Sequence, residues 1–428
     1  MRIDPPKKDS LKRCLTTNST QNSNIFRIIF ISVLLSAAVY MFLLLVSSKG
    51  SQQDSIFYGN SHDYFMDFFN VLKYVSKRDP YHYTDFMGLG EKAYPPLAYA
   101  ILFPFSRLYD YKTKTSYDAR STQLGIMSVF FFLFICIFFL TFLYSHHIQG
   151  SVSIKILTTL TFFMSGIFIY SLERANIIFL AVLFLGIFLF FYKSTDPILR
   201  EIAYLALACT TALKVYPVVF GILILKDKRW FAAIRTMLYG IVAFFLPFFF
   251  FYGGLSNFKQ LLSNVEENSL LYLFITPSYR FGWLPYYLCT NTYVSNYQSW
   301  ITFGNILMLL AVVLSFFMKS QWKTVTLLTC TIIASPVNSA YYCGLYLFAA
   351  IILFLNENEH NCFDIIYLVL FIVILNPFQF IANGVAITIF VANCSLLCLY
   401  LLLMIDAIMQ VGIWGSKQIG NKKSHVHT

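Results

Sequence analysis

Charge is scarce in this 428-residue chain: Asp, Glu, Lys and Arg make up only 12% of it, roughly half the share of a soluble domain. No polar stretch is long enough to fold as a separate soluble unit. The nine cysteines are scattered, mostly within apolar runs, with no C-x-x-C and no zinc spacing, which excludes a disulfide framework or a zinc module. Cys394 and Cys398 share a helix face and read as packing residues. Tandem repeats are absent. A basic stripe is also missing: the net charge is +11, but the cations fall in short clusters between apolar runs, such as Lys7, Lys8, Lys12 and Arg13, then Lys226, Lys228, Arg229 and Arg235, then Lys417, Lys422 and Lys423. That is the pattern of cytoplasmic loops under the positive-inside rule, and it excludes nucleic acid as a partner.

What is abundant is apolar surface. Hydrophobic residues make up 58%, with 46 Phe and 29 Tyr, and the mean hydropathy is +0.66. A chain of this kind is expected to be an all-α polytopic membrane protein, a bundle of about 10–12 transmembrane helices embedded in the lipid bilayer. Residues 1–24 read as a basic cytoplasmic tail, residues 25–47 as an uncleaved signal-anchor helix, and residues 48–94 as a long first external loop. The membrane domain runs from 25 to 412. It includes a second large external loop over 253–299, and a basic cytoplasmic tail follows over 413–428. Both termini are then cytoplasmic. Two runs resist simple counting. Residues 97–109 would span only about 20 Å as a helix, short of a bilayer core. Residues 202–225 contain Lys214 and then Pro217, which predicts a broken or re-entrant pair of half-helices.

Against this background the acidic residues are misplaced. Asp54, Asp63, Asp67, Asp79, Asp85 and Glu91, six of the twenty acids, crowd into the first external loop. In "DYFMDFFNVLKYV", Phe65, Phe68, Phe69, Leu72 and Val75 recur at helical spacing opposite Asp63, Asp67 and Asn70, predicting a short interfacial helix. Asp63 and Asp67 share a face: either a solvated one, or a general base with a supporting carboxylate. A divalent metal between them has no evident third ligand, and a metal-free site is the favoured expectation. His146 and His147 diverge on a helix and are not expected to bind metal. Lys214 within an apolar run costs about 2.5–3.5 kcal/mol on insertion scales, so it either snorkels to the interface or faces an anionic group in a cavity. In "SLERANIIFLAV", Glu173 and Arg174 either mark a solvated turn or face a site, with Asn176 near the next helix start. In "KAYPPLAYAILFPF", Tyr94 marks where the outer loop enters the membrane, and Pro95 and Pro96 suit first helical positions.

The order of six stretches resembles the GT-C superfamily of polytopic glycosyltransferases, and most closely glycosyltransferase family 87: "MDFFNVLKYVSKRDPY", "YPPLAYAILFPF", "ERANIIFLAVLFLGIFLFF", "ALKVYPVVFGILILKDKRW", "EENSLLYLFITPSYRFG" and "SPVNSAYYCGLYLF". The resemblance covers about Asp63 to Tyr346. It implies a hexosyltransferase of the cell membrane, in a GT-C-like bundle with an external active site. Such an enzyme moves a sugar such as mannose, with inversion, from a polyprenyl-phosphate donor to a lipid or glycan acceptor. It implies no cofactor. Asp67 matches the family's external-loop base, with Asp63 as the nearby alternative. Two departures concern the grip on the donor phosphate: many relatives show Gly-Gln-x-Asn in place of Glu173-Arg174-Ala175-Asn176, and many carry histidine where this chain has Tyr341 and Tyr342.

The chemistry needs a carboxylate at the acceptor hydroxyl and donors or cations at the departing lipid phosphate. Asp67 fits the first role. Lys214, Arg280 and Arg174 fit the second, with Glu173 and Asn176 beside them and Tyr94 and Tyr216 lining the cavity. An apolar groove between helices would take the isoprenoid tail. A polysaccharide polymerase or ligase predicts a late loop rich in Arg and His, whereas 253–299 has one arginine, Arg280, and no histidine. A transporter predicts matching halves with ionisable residues near mid-membrane; apart from the Lys214–Pro217 break the chain shows neither.

Overall fold

A computed structural model describes residues 19–47, 63–83, 90–111, 113–275, 290–335, 341–378, 381–382 and 385–424. They are almost wholly helical, with a single two-residue antiparallel ladder, Ile381–Ala382 against Val385–Ala386. Helix is what a chain with so little polar side-chain surface must adopt in lipid, because it satisfies every backbone donor and acceptor within the segment.

The apolar runs fold as α1 (Ser19–Ser47), α2 (Met66–Ser76), α3 (Pro96–Ser106), α4 (Ser116–Arg120), α5 (Gln123–His147), α6 (Val152–Phe163), α7 (Gly166–Arg174), α8 (Ile178–Phe191) and α9 (Pro197–Leu213). They continue as α10 (Ile222–Lys226), α11 (Trp230–Phe245), α12 (Asn257–Ile275), α13 (Thr290–Ser315), α14 (Gln321–Ile333), α15 (Leu347–Leu355), α16 (Asp364–Ile374) and α17 (Ile387–Ser424). The polytopic all-α architecture stands, but the spans are of two kinds. Among the described residues, Ser23–Ser47, Gln123–His147, Trp230–Phe250 and Ile387–Ile413 are long and apolar enough to cross a bilayer alone, and α6 with α7 makes a fifth, bent by 60°. Six further apolar helical stretches, such as α3, α8 and α16, are shorter, at 10–17 residues, and are tolerated at membrane depth where neighbouring protein covers their ends.

The bend between α6 and α7 falls at Ser165, whose Oγ accepts from Phe168 N at 3.3 Å and caps the second half-helix. The expected break near Lys214 is also present. α9 ends at Leu213, Lys214 is extended (φ −147°, ψ 113°), and a 3-10 segment over Tyr216–Gly221 restarts the chain with Pro217 in its first turn. Pro95 and Pro96 serve as cap and first residue of α3, where a missing N–H costs nothing.

Apolar burial cannot drive helix pairing inside lipid, so close packing and interhelical hydrogen bonds must. α9 supplies both. Its buried face carries Ala203, Ala206, Ala208 and Ala212, which let α8 and α11 approach, and Thr210 Oγ1 donates to the Ala181 carbonyl at 2.7 Å. From α5, Tyr144 donates to the Val182 carbonyl at 3.2 Å. α8 is buried on nearly every side and forms the axis on which the site elements hang.

Three segments have more structure than their sequence suggests. The helix that carries Asp67 lays its apolar face on protein: Met66, Phe68, Phe69, Leu72 and Val75 are buried at 1% exposure or less, packed on α3. The second expected loop, 253–299, is helical over most of its described length, in α12 and the start of α13. The basic segment from 413 continues α17 as far as Ser424. Residues 1–18, 48–62 and 84–89, with most of the N-terminal tail, lie outside the described residues, as do 276–289 and with them Arg280.

Candidate active site

Four segments converge at the N-terminal ends of α2 and α3. α2 starts after Phe65, held in the left-handed region at φ 63°. α7 ends at Arg174, followed by Ala175, also left-handed at φ 48°. Such backbone costs about 1 kcal/mol or more for a residue with a side chain and persists only where surrounding contacts fix it. Here Phe65 N donates to the Glu173 carbonyl at 2.6 Å, locking one strained turn onto the other. On the far side, Arg120 Nη1 donates to the Tyr64 carbonyl at 3.1 Å. Arg120 ends α4, a single turn fixed by a reciprocal capping box between Thr115 and Asp118.

These two strained turns place Asp67 against Arg174 and Asn176. Arg174 Nε donates to Asp67 Oδ1 at 2.9 Å, and Nη2 reaches the same oxygen. Arg174 Nη1 lies 3.3 Å from Asp63 Oδ2, so one guanidinium lies between the two carboxylates. Asn176 Nδ2 donates to Asp67 Oδ2 at 2.7 Å and contacts Tyr94 Oη at 3.1 Å. The amide's orientation follows from its other end, where Oδ1 must accept from Ile178 N at 2.9 Å. Asn176 is fully buried and the Asp67 side chain is only 14% exposed, against 53% for Asp63. The Glu173-Arg174-Ala175-Asn176 turn is therefore a buried junction and not a solvated one. Glu173 contributes its carbonyl to Phe65, and its side chain is buried.

Lys214, at the break after α9, is 7% exposed. Ring faces rather than a carboxylate hold its ammonium: Nζ lies 4.4 Å from the Tyr94 ring centre and 5.3 Å from that of Tyr342, a geometry that stabilises a cation by about 0.5–2 kcal/mol. Asp67 acts on it electrostatically. Tyr94 thus touches both halves of the site, its hydroxyl on Asn176 and its face on Lys214. Tyr216, half-buried at the start of the 3-10 segment, lies within electrostatic reach of Tyr342, as do Tyr94 and Asp67.

Tyr342 is absent from the binding residues that the sequence singles out, where it figures only as a departure from a family histidine. Tyr341 and Tyr342 diverge: Tyr341 packs edge-on against Tyr170 at 5.4 Å, and Tyr342 turns to Lys214. Their segment approaches α7 closely because residue 344 is glycine; a Cβ there would stand 2.5 Å from Ile167 Cδ1.

An apolar groove of about 660 Å³ opens beside this site. Phe65 and Leu172, each two positions from Asp67 or Arg174, form one end, and the groove follows α5 through Phe130, Phe134, Phe138 and Phe142 to Ser145. These four phenylalanines recur every fourth residue on a face that is 55–67% exposed. Phe65 meets Phe130 edge-on at 5.9 Å.

Fold and site together define an integral membrane protein with a carboxylate held by an arginine and an asparagine, next to a lysine set between two tyrosines. The family model of Glycosyltransferase family 87 matches residues 93–336, more than half of the chain, and the protein belongs to that family. It is accordingly a membrane glycosyltransferase, and the transporter alternative falls away. No curated protein and no solved structure matches it. The matched segment contains Tyr94, Glu173, Arg174, Asn176, Lys214, Tyr216 and Arg280 but neither aspartate; the fold brings Asp67 and Asp63 to it.

Proposed function

We propose that this glycosyltransferase transfers a hexose such as mannose from a polyprenyl-phosphate carrier to a hydroxyl of a lipid or glycan acceptor. In this reading it inverts the anomeric centre and works on the outer face of the cell membrane. The observation that carries the reading is the grouping of Asp67, Lys214 and the groove: a fixed carboxylate, a buried lysine within its electrostatic reach, and an apolar groove that begins two residues from Asp67.

Each part has a chemical task. Arg174 and Asn176 hold Asp67 so that a remaining lone pair on Oδ2 accepts the proton of the acceptor hydroxyl as that oxygen attacks C1. The bond from C1 to the phosphate oxygen breaks, and the electron pair leaves on the polyprenyl phosphate. That leaving group is already a stable anion and needs no general acid; it needs positive charge, which Lys214 supplies. A single displacement at C1 inverts it. The groove along α5 takes the isoprenoid chain from the bilayer, so the donor enters sideways with its phosphate leading. Arg174 provides the positive charge between the two aspartates that a metal would otherwise provide, and the transfer is read as metal-independent.

The test is transfer in nanodiscs from a panel of polyprenyl-phosphate sugars, with nucleotide sugars as the contrast. Product from a polyprenyl-phosphate hexose with inverted anomeric configuration supports the reading. Product from nucleotide sugars alone, or retained configuration, overturns it.

A further inference from the structure

Away from the site, two arginines share one phenylalanine ring at the end of a membrane span. Arg78, just past α2, has a left-handed backbone at φ 58° and is held on several sides. Its carbonyl accepts from Tyr252 N at 2.9 Å, and its Nη2 donates to the Phe250 carbonyl at 3.2 Å. Its guanidinium carbon lies 5.0 Å from the ring centre of Phe250 and 5.8 Å from those of Phe103 and Tyr252. Arg107, exposed at the end of α3, covers the same Phe103 ring at 4.4 Å.

Neither arginine has an acidic partner among the described residues. The nearest acids in sequence are engaged elsewhere: Asp79 with His82 at 2.8 Å, and Asp110 with the Thr113 hydroxyl at 3.3 Å. Among the described residues the buried Arg78 Nε has no hydrogen-bond partner, an arrangement that costs about 1–3 kcal/mol unless something accepts from it. Phe250 ends the span Trp230–Phe250, so both guanidiniums lie at the depth of lipid headgroups.

An arginine that merely anchors a helix keeps its head free to reach water. Arg78 is instead fixed in place, and its donors not used by Phe250 remain as a planar fork of the kind that matches phosphate oxygens. We infer that Arg78 and Arg107 form a seat for the phosphate of an anionic membrane lipid, whose acyl chains lie against the exposed Phe250 and Tyr252. Negative charge is what two unpaired guanidiniums select, and an aromatic rim in the membrane is what acyl chains select. The seat is about 16 Å from Asp67 along α2 and does not depend on the transfer reaction.

The test is native mass spectrometry of the full-length protein exchanged into mixed micelles of phosphatidylglycerol and phosphatidylcholine, with inorganic phosphate added in a separate arm. Wild type is expected to retain phosphatidylglycerol over phosphatidylcholine. Arg107→Gln is expected to lower that preference by about tenfold, the scale of one charge-assisted hydrogen-bond pair, and Arg78→Gln to lower it at least as far. The Arg107 side chain is exposed and, among the described residues, held through its ring contact alone, so its variant keeps the test decisive should Arg78→Gln misfold. Equal retention of the two lipids by wild type, or unchanged preference in Arg107→Gln, overturns the proposal. Displacement of the lipid by inorganic phosphate would make this a free-phosphate site and overturn the lipid assignment.

Discussion

Arg174 and Asp67, 107 positions apart, form the pair on which the site is built: Nε donates to Oδ1 at 2.9 Å and Nη2 reaches the same oxygen. The pair joins the end of the bent pair α6–α7 to the first turn of α2. Two charged donors on Oδ1, with the Asn176 amide on Oδ2 at 2.7 Å, fix the direction of the carboxylate as well as its charge.

Arg174→Lys therefore should not behave as a conservative change. A point charge replaces a planar fork, and Asp67 Oδ1 loses one of the two donors that Arg174 gives it. We expect kcat to fall by about 10–100-fold, with KM for the donor changing much less, because misplacing a positioned catalytic group costs on that scale. Steady-state kinetics of the purified variant check this; a rise in KM alone would place Arg174 on the substrate instead.

Lys214 and its tyrosines separate charge from aromatic contact. Lys214→Gln is expected to lower kcat by about 10²–10³, as when one donor to a developing anion is removed. Tyr342→Phe keeps the ring face and should retain near wild-type activity, whereas Tyr342→Leu should lose up to about tenfold, the worth of a buried cation–π contact. The same assay run on all three variants decides it, and equal effects of Phe and Leu would contradict the contact.

The groove along α5 makes a prediction about chain length. Phe134→Ser or Phe138→Ser should raise KM for a long-chain polyprenyl-phosphate donor several-fold, given about 0.8 kcal/mol per buried CH₂ group. The KM for a donor truncated to one or two isoprene units should be unchanged. Parallel increases for both donors would move the tail elsewhere.

Gly344 tests how the Lys214 pocket is assembled. A Cβ there would meet Ile167, which is itself fully buried and has little room to yield. Gly344→Ala should cost about 1–3 kcal/mol of stability, seen as a lower thermal midpoint in detergent, and Ile167→Val in the same chain should restore part of it.

Much of this is legible in the sequence. The carboxylate excess over 54–91, the helix carrying Asp67, the break at Lys214 and the paired prolines that open α3 all follow from residue types and their spacing. Pairing across 107 positions does not: whether Arg174 faced water or Asp67 depended on the bend at Ser165 and the left-handed turn at Ala175, neither of which has a local signature in a non-glycine residue. α12 escaped because its polar residues suggest a loop. In the fold Asn264 is buried and donates to the carbonyls of Tyr81 and Lys92 at 2.9 and 3.3 Å, so polarity there serves packing and not solvation. Tyr342 was hidden for a similar reason: adjacent tyrosines point to different neighbours, and only the 3-10 turn over Tyr341–Tyr346 decides which one meets Lys214.

The central claim is that Asp67 is the base, and the most direct measurement compares wild type with Asp67→Asn for transfer from a polyprenyl-phosphate hexose, alongside binding of the same donor. The substitution keeps the side-chain shape and removes the basic oxygen. Transfer is expected to fall by about 10²–10⁴, the contribution of general-base catalysis, while the protein stays folded and donor binding is retained. Transfer within a few-fold of wild type would contradict the claim and move the base to Asp63.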